Sequence, residues 1–92
     1  MILTYATLRV DLPYVESKKG RRAVLNAIKD RLSQMNCSVL DISGEYPKEA
    51  TIAAAFLSTD EQQALRKIET IERMLQSRFP EIEAELEYDL YP

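Results

Sequence analysis

The 92-residue chain contains no histidine and no tryptophan, and its only cysteine is Cys37. Without histidine, a Ser-His-Asp triad is excluded for this chain alone. A single cysteine cannot close an internal disulfide, which is typical of a protein in a reducing compartment. Because Cys37 also lacks a CxxC partner, we interpret it as a small buried apolar residue rather than a nucleophile.

Glycine is almost as rare, and long apolar runs are missing. Gly20 and Gly44 are the only glycines, too few for a phosphate-binding loop of the P-loop or Rossmann kind. No stretch of roughly 18 apolar residues could span a bilayer. Arg9 and Asp11 interrupt the segment where a secretory signal needs a continuous apolar centre. We therefore expect a cytoplasmic protein with no membrane contact.

The remaining composition is that of a folded chain. Apolar residues make up 46% and charged residues 29% of the sequence, and no repeat or linker is visible. The length suits one modest core but not two. We expect a single domain over residues 1–92.

The segment from Ser17 to Met35 predicts a first helix, with Ser17 as its N-cap and its end near Asn36. Its apolar residues recur every three or four positions and form one stripe: Val24, Leu25, Ile28, Leu32 and Met35. A second helix is predicted to begin near Thr59, because Ser58 and Glu61 have the spacing of a capping box, and to end before Pro80.

Four segments predict strands. Residues 2–12 and 82–90 alternate between apolar and polar positions, and in the second segment every polar position is acidic. Residues 37–43 are rich in β-formers but have mixed parity, which favours a bulge. Residues 50–57 are rich in alanine, a good helix former, but their short length and flanking turns favour a strand.

The resulting order is βαββαβ. Right-handed crossovers then give a four-stranded antiparallel sheet in spatial order 4-1-3-2, with both helices on one face. This is the ferredoxin-like α+β fold, in which one face of the sheet is left open.

Three segments resemble the YlxP-like family of small bacterial proteins of unassigned function. They are Ser17-Lys18-Lys19-Gly20-Arg21-Arg22 at the first helix, Cys37-Ser38-Val39 in the second strand, and Ser58-Thr59-Asp60 before the second helix. The resemblance spans nearly the whole chain and implies the ferredoxin-like fold, no known enzyme activity, and a connection to RNA or the ribosome. Gly20 departs from the family pattern, which has glutamate there, and Lys18 replaces a leucine.

Charge is distributed unevenly along the chain. Residues 17–35 carry six cations and one anion, whereas residues 81–92 carry five carboxylates and no cation. We predict that the start of the first helix binds phosphate or another anion, because exposed backbone amides and nearby cations can hold one there. The candidate residues are Ser17, Lys18, Lys19, Arg21 and Arg22. The alternative is a solvated basic surface.

Two further kinds of site are unfavourable. RNA recognition by the sheet face needs two or three aromatic residues on its central strands, where only Tyr5 is suitable, and the acidic last strand would repel phosphates. Carboxylates that alternate on one strand lie roughly 6.5–7 Å apart, too far for neighbours to share a metal ion. We expect no metal, no cofactor and no catalysis by the single chain, although a pocket shared between subunits stays open.

The open face of the sheet predicts an interface. Its candidate residues are Leu3, Tyr5, Ala53, Ala55 and Leu57, which form a flat patch of small and apolar side chains. Two hypotheses follow. Either the protein contacts structured RNA or ribosomal particles through the basic helix start, or it is a protein-interaction domain that forms a homodimer or another homo-oligomer through this face or across a free strand edge.

Overall fold

A computed structural model describes residues 1–12, 18–46 and 48–92. The elements are β1 (Ile2–Asp11), α1 (Lys18–Gln34), β2 (Ser38–Asp41), β3 (Glu49–Ser58), α2 (Glu61–Arg78) and β4 (Glu83–Tyr91). The strands form one antiparallel sheet in the order β2-β3-β1-β4. This confirms the predicted ferredoxin-like fold, including a strand at the alanine-rich segment. Ser17 lies outside the described residues.

A single core lies between the helices and one face of the sheet. Every second residue of β1 is buried there, and the facing positions of β3 are buried as well. The helices contribute the stripes that their sequence periodicity predicts: Leu25, Ile28 and Leu32 from α1, and Ala64, Ile68, Ile71 and Leu75 from α2. The opposite face of the sheet carries no described element, so it forms the open face.

The predicted bulge in the second strand is wrong. Residues 38–41 pair with residues 55–52 in an uninterrupted register, with Val39 opposite Ala54 and Asp41 opposite Ile52. Val39 and Asp41 therefore point to the helix side, and Leu40 points to the open face. The mixed parity arises because β2 is an edge strand. Asp41, although on the helix side, reaches solvent at this edge, and Leu40 is exposed because no described element packs on the open face.

The carboxyl-terminal end of α1 is closed by backbone hydrogen bonds. Asn36 has a positive φ of 63° and completes a Schellman motif, in which Cys37 N donates to Leu32 O at 3.2 Å and Asn36 N donates to Ser33 O at 3.0 Å.

At the start of α2 the predicted cap is wrong: Asp60, not Ser58, accepts the hydrogen bond from Gln63 N at 2.8 Å. Ser58 still pairs with Ile2 in the sheet, so the chain leaves β3 later than the sequence pattern suggests.

Candidate anion-binding cleft and open sheet face

A cleft of about 430 Å³ lies between the first turns of α1 and the loop that follows β2. We call it the basic cleft. Four cations line it, namely Lys18, Arg21, Arg22 and Lys29, and Asp41, Gly44 and Glu45 line the facing wall. The structure thus brings together three of the predicted anion-binding residues and adds Lys29, about two helical turns beyond Arg22 on the same helix. Lys19 is exposed but does not line the cleft.

The cations of the basic cleft form no ion pair with any carboxylate that the structure describes. Across residues 1–12, 18–46 and 48–92, the one ion pair joins Arg9 and Glu85 on the sheet. Arg21 is held in place by the backbone, because its Nη2 donates to Glu49 O at 3.2 Å. Its Nε is buried, and none of the described residues gives it a hydrogen-bond partner. The guanidinium is therefore positioned by the protein while part of its donor capacity is unused.

Asp41 reduces the net positive charge of the basic cleft. Its Oδ1 accepts a hydrogen bond from Ser43 N at 2.9 Å and another from the Ser43 hydroxyl. Desolvation alone would raise the pKa of Asp41, but the bonds from Ser43 and the charges of Lys29 and Arg21 outweigh it, so the net pKa is lowered. Asp41 is thus an anion at neutral pH. With Glu45, two carboxylates face four cations, which leaves the lining a net charge of +2.

The open face carries an apolar area at its centre and at one end. Of the predicted interface residues, Leu3, Tyr5 and Leu57 are exposed, and Ala55 is half-buried. Ala53 is only 9% exposed, because it lies in a shallow depression of about 180 Å³ that Tyr5 and Leu40 also line.

Sequence reasoning missed three exposed apolar residues on this face: Leu40, Ile42 and Tyr91. The pairing places Leu40 opposite Ala53 and Tyr91 opposite Leu3, and Ile42 N donates to Thr51 O. The signal for two of them was present, since Leu40 and Ile42 share a parity that differs from that of Val39.

An acidic row borders the apolar area. Glu83, Glu85, Glu87 and Asp89 are exposed and lie opposite the residues of β1 that face the open side. Glu81 precedes the strand in a turn and is not part of the row. In the part of the chain that the structure describes, no group of three or more histidine, cysteine or carboxylate side chains could hold a metal ion.

Cys37 is buried, and desolvation raises the pKa of its thiol, although the charge of Lys67 opposes this effect. Its thiolate form is therefore scarce at neutral pH, which agrees with the interpretation of a packing residue. Among the described helices, none is long and apolar enough to cross a membrane.

The fold and these surfaces define a small ferredoxin-like α+β domain with a basic cleft at one edge of its sheet and an acidic row at the other. The chain belongs to the family described as "Protein of unknown function (DUF503)", whose model matches residues 3–87. No curated protein matches the chain. The resemblance to the YlxP-like proteins stays a prediction.

Solved structures with similar folds come from several sources. A protein described as a DGC protein from Thermotoga maritima has a TM-score of 0.61 and 24% identity, over 98% of this chain and 66% of its own. The de novo designed protein Foldit4 has a TM-score of 0.59 and 15% identity, over 95% of this chain and 96% of its own.

The designed protein LFR1 1, whose description states a ferredoxin fold, has a TM-score of 0.55 and 12% identity, over 100% of this chain and 87% of its own. At these identities the likeness shows the fold alone.

Proposed function

We propose that the protein is a non-catalytic binding module that holds phosphate groups of structured RNA in the basic cleft. One observation carries the proposal. Lys18, Arg21 and Arg22, together with Lys29, surround one cleft and form no ion pair with any described carboxylate. Because only two carboxylates face these four cations, the lining keeps positive charge that an anion can use.

The chemistry of the lining favours phosphate over other anions. Two arginines offer planar, forked donors that match phosphate oxygens, and the lysines add point charges. Arg21 is already oriented by its bond to Glu49 O, so little conformational freedom is lost when it binds. The amino-terminal end of α1 adds its own partial positive charge.

The position of the cleft removes the objection raised by the acidic row. The basic cleft borders β2, and the acidic row lies on β4, at the opposite edge of the sheet. An RNA backbone seated in the cleft therefore approaches the edge that lies farthest from Glu83, Glu85, Glu87 and Asp89. The open face itself is not part of this contact.

The test is the salt dependence of binding to a fluorescein-labelled RNA hairpin. If three or four phosphates are neutralised, the logarithm of the affinity should fall with the logarithm of salt concentration at a slope of roughly −2 to −4. The double variant Lys18→Glu, Arg22→Glu should weaken binding by roughly 10- to 100-fold.

A matched control changes the net charge equally at a distant surface. Arg66→Glu, Arg73→Glu alters two exposed residues of α2 and should leave the affinity almost unchanged at physiological salt. If both double variants weaken binding equally, only the net charge matters and the cleft is not the site. Binding that does not change with salt would also contradict the proposal.

A second candidate function is self-association through the open face. Its supporting observation is that six large apolar side chains are exposed on that face: Leu3, Tyr5, Leu40, Ile42, Leu57 and Tyr91. A contiguous exposed apolar patch is unusual on a monomer and marks an interaction surface. The partner in this candidate is a second copy of the chain.

Sedimentation equilibrium distinguishes this candidate from RNA binding. The variant Ala55→Arg places a charge in the middle of the patch and should shift a dimer to a monomer, whereas Gln62→Arg on the exposed side of α2 should not. The dimer should persist at high salt, unlike the RNA complex. If the protein is still monomeric at about 100 μM, the Kd of any dimer is higher than that of a typical specific complex. This result would rule the candidate out.

A further inference from the structure

The outer edge of β4 is long and regular. This strand has nine residues, a length of roughly 30 Å, and pairs with β1 in an unbroken register from Glu83 to Tyr91. It is the last strand of the sheet, so every second backbone N–H and C=O along it points away from β1. None of the described residues outside β1 hydrogen-bonds to these groups.

Proteins commonly block such an edge with proline, a bulge or charged side chains, and of these devices β4 has only the charged side chains. It contains no proline, no lysine and no bulge. The other edge of the sheet, β2, has only four residues and so offers a much shorter template. β4 is therefore the edge at which an added strand could form most hydrogen bonds.

The two sides of β4 differ sharply in chemistry. The acidic row of Glu83, Glu85, Glu87 and Asp89 stands on the open face, where Glu85 is ion-paired with Arg9 of β1 and the other three carboxylates have no ion pair among the described residues. On the helix side, α2 and β4 enclose a groove of about 460 Å³. Apolar side chains form most of its lining, and three polar side chains, Glu72, Gln76 and Glu83, stand at its rim or wall. The apolar residues are Leu75, Phe79, Pro80, Ile82, Ala84 and Leu86.

We propose that β4 accepts an extended segment of a partner protein as a fifth strand, and that this segment alternates basic with apolar residues. Side chains of a strand point alternately to the two faces of the sheet. The basic residues of the segment would therefore lie beside the acidic row, while its apolar residues would enter the groove against Ala84 and Leu86. Main-chain hydrogen bonds give affinity in this mode, and the alternating side chains give specificity.

Charge argues against a second copy of the chain at this edge. Pairing of β4 with another β4 would place two acidic rows side by side on the same face, and like charges on neighbouring strands destabilise a sheet. A basic segment reverses the sign of the same interaction. Nucleic acid is disfavoured for the same reason, because its phosphates would meet the carboxylates.

The test uses a nine-residue peptide in which lysine alternates with valine, and the full chain labelled for NMR. Addition of the peptide should protect those β4 amides that point away from β1, slowing their hydrogen exchange by at least about tenfold, because they become hydrogen-bonded. Attraction between charges alone would shift the signals of the acidic row without protecting the amides, and that result would overturn the proposal.

Two control peptides separate the contributions. A peptide of the same composition with all lysines first and all valines last keeps the charge but loses the alternation, and it should bind at least tenfold more weakly. A peptide in which serine replaces each valine tests the groove and should also bind more weakly. Equal binding of either control to that of the alternating peptide would overturn the proposal.

Variants of the protein test the acidic row directly. Glu87→Gln, Asp89→Asn should weaken binding of the alternating peptide by roughly 3- to 30-fold, the effect of two opposite-charge pairs across neighbouring strands. The control Asp30→Asn, Glu69→Gln makes the same change in net charge on exposed positions of the helices and should leave the affinity unchanged. An equal loss in both variants would mean that the row has no specific role. RNA binding in the basic cleft involves none of these residues, so the two proposals fail independently.

Discussion

The two helices differ in the charges that their first turns carry. α2 begins with Asp60, whose side chain caps the helix, and Glu61 follows in its first turn. α1 has no acidic residue in its first turn and instead carries Lys18, Lys19 and Arg21 there. Carboxylates favour the amino-terminal end of a helix and cations disfavour it, so the start of α2 is stabilised by its charges and the start of α1 is not.

The same contrast does not extend to the core. Ile28 in α1 and Ile68 in α2 are 0% and 2% exposed, and both helices bury one apolar stripe against the sheet. The fold therefore depends on both helices alike, and only their starts differ. A local departure from favourable electrostatics in a protein that follows the rule elsewhere is typical of a functional site, which agrees with the proposed role of the basic cleft.

The largest expected effect tests whether the two helices contribute equally to the stability of the core. Ile28→Ala and Ile68→Ala each remove a buried side chain from the centre of a helix and leave a cavity. Each should lower the free energy of unfolding by about 2–5 kcal/mol, as measured by urea denaturation. A loss below about 1 kcal/mol for Ile28→Ala alone would show that α1 contributes less to the core than α2 does.

The next effect concerns the cap of α2. Asp60→Ala removes the acceptor of the hydrogen bond from Gln63 N, and it should lower the free energy of unfolding by about 1 kcal/mol. The variant Asp60→Asn keeps an acceptor oxygen and should lose less. If Ser58→Ala, which leaves Asp60 in place, had the larger effect on helix formation, the cap would lie where the sequence pattern first suggested.

A smaller effect of opposite sign is expected at the start of α1. Lys18→Glu replaces an unfavourable charge with a favourable one and should raise the free energy of unfolding by about 0.3–1 kcal/mol at low salt. The gain should vanish in 1 M salt, where the Debye length is only about 3 Å. The variant should also weaken RNA binding, so stability and binding should move in opposite directions. Destabilisation by Lys18→Glu at low salt would show that the cations at the start of α1 do not destabilise that helix end.

Much of the fold follows from patterns that are local in the sequence. Strict alternation in residues 82–90 and periodic apolar residues in both helices predicted the elements correctly, because a buried face imposes its period on the chain. The sequence failed where two signals overlapped. Ser58 and Glu61 have the spacing of a capping box, but so do Asp60 and Gln63, and the pairing of Ser58 with Ile2 decides between them.

The candidate site was predictable only in part, for a similar reason. The cluster of Lys18, Arg21 and Arg22 is visible in the sequence because its members are neighbours. Lys29 and the wall that contains Asp41 are not, since only the packing of α1 beside β2 brings them to the same cleft. The shared parity of Leu40 and Ile42 is visible in the sequence, but that both face solvent follows from the edge position of β2, which the sequence pattern alone does not give.

The smallest expected effect concerns Asp41, which lines the basic cleft and whose pKa responds to the charges of the cleft. Because the pKa of Asp41 is lowered below its ordinary value of 3.8, ionised Asp41 stabilises the folded protein above about pH 4, and this contribution is lost as the pH falls through the lowered pKa. The stability difference between the protein and Asp41→Asn should therefore shrink as the pH falls below about 4. Lys29→Gln should raise the pKa of Asp41 in an NMR titration, and Lys67→Gln, on α2, should not. An unchanged pKa in Lys29→Gln would show that Ser43 alone holds the carboxylate in its ionised form, and that the cations of α1 act on the cleft more weakly than their positions imply.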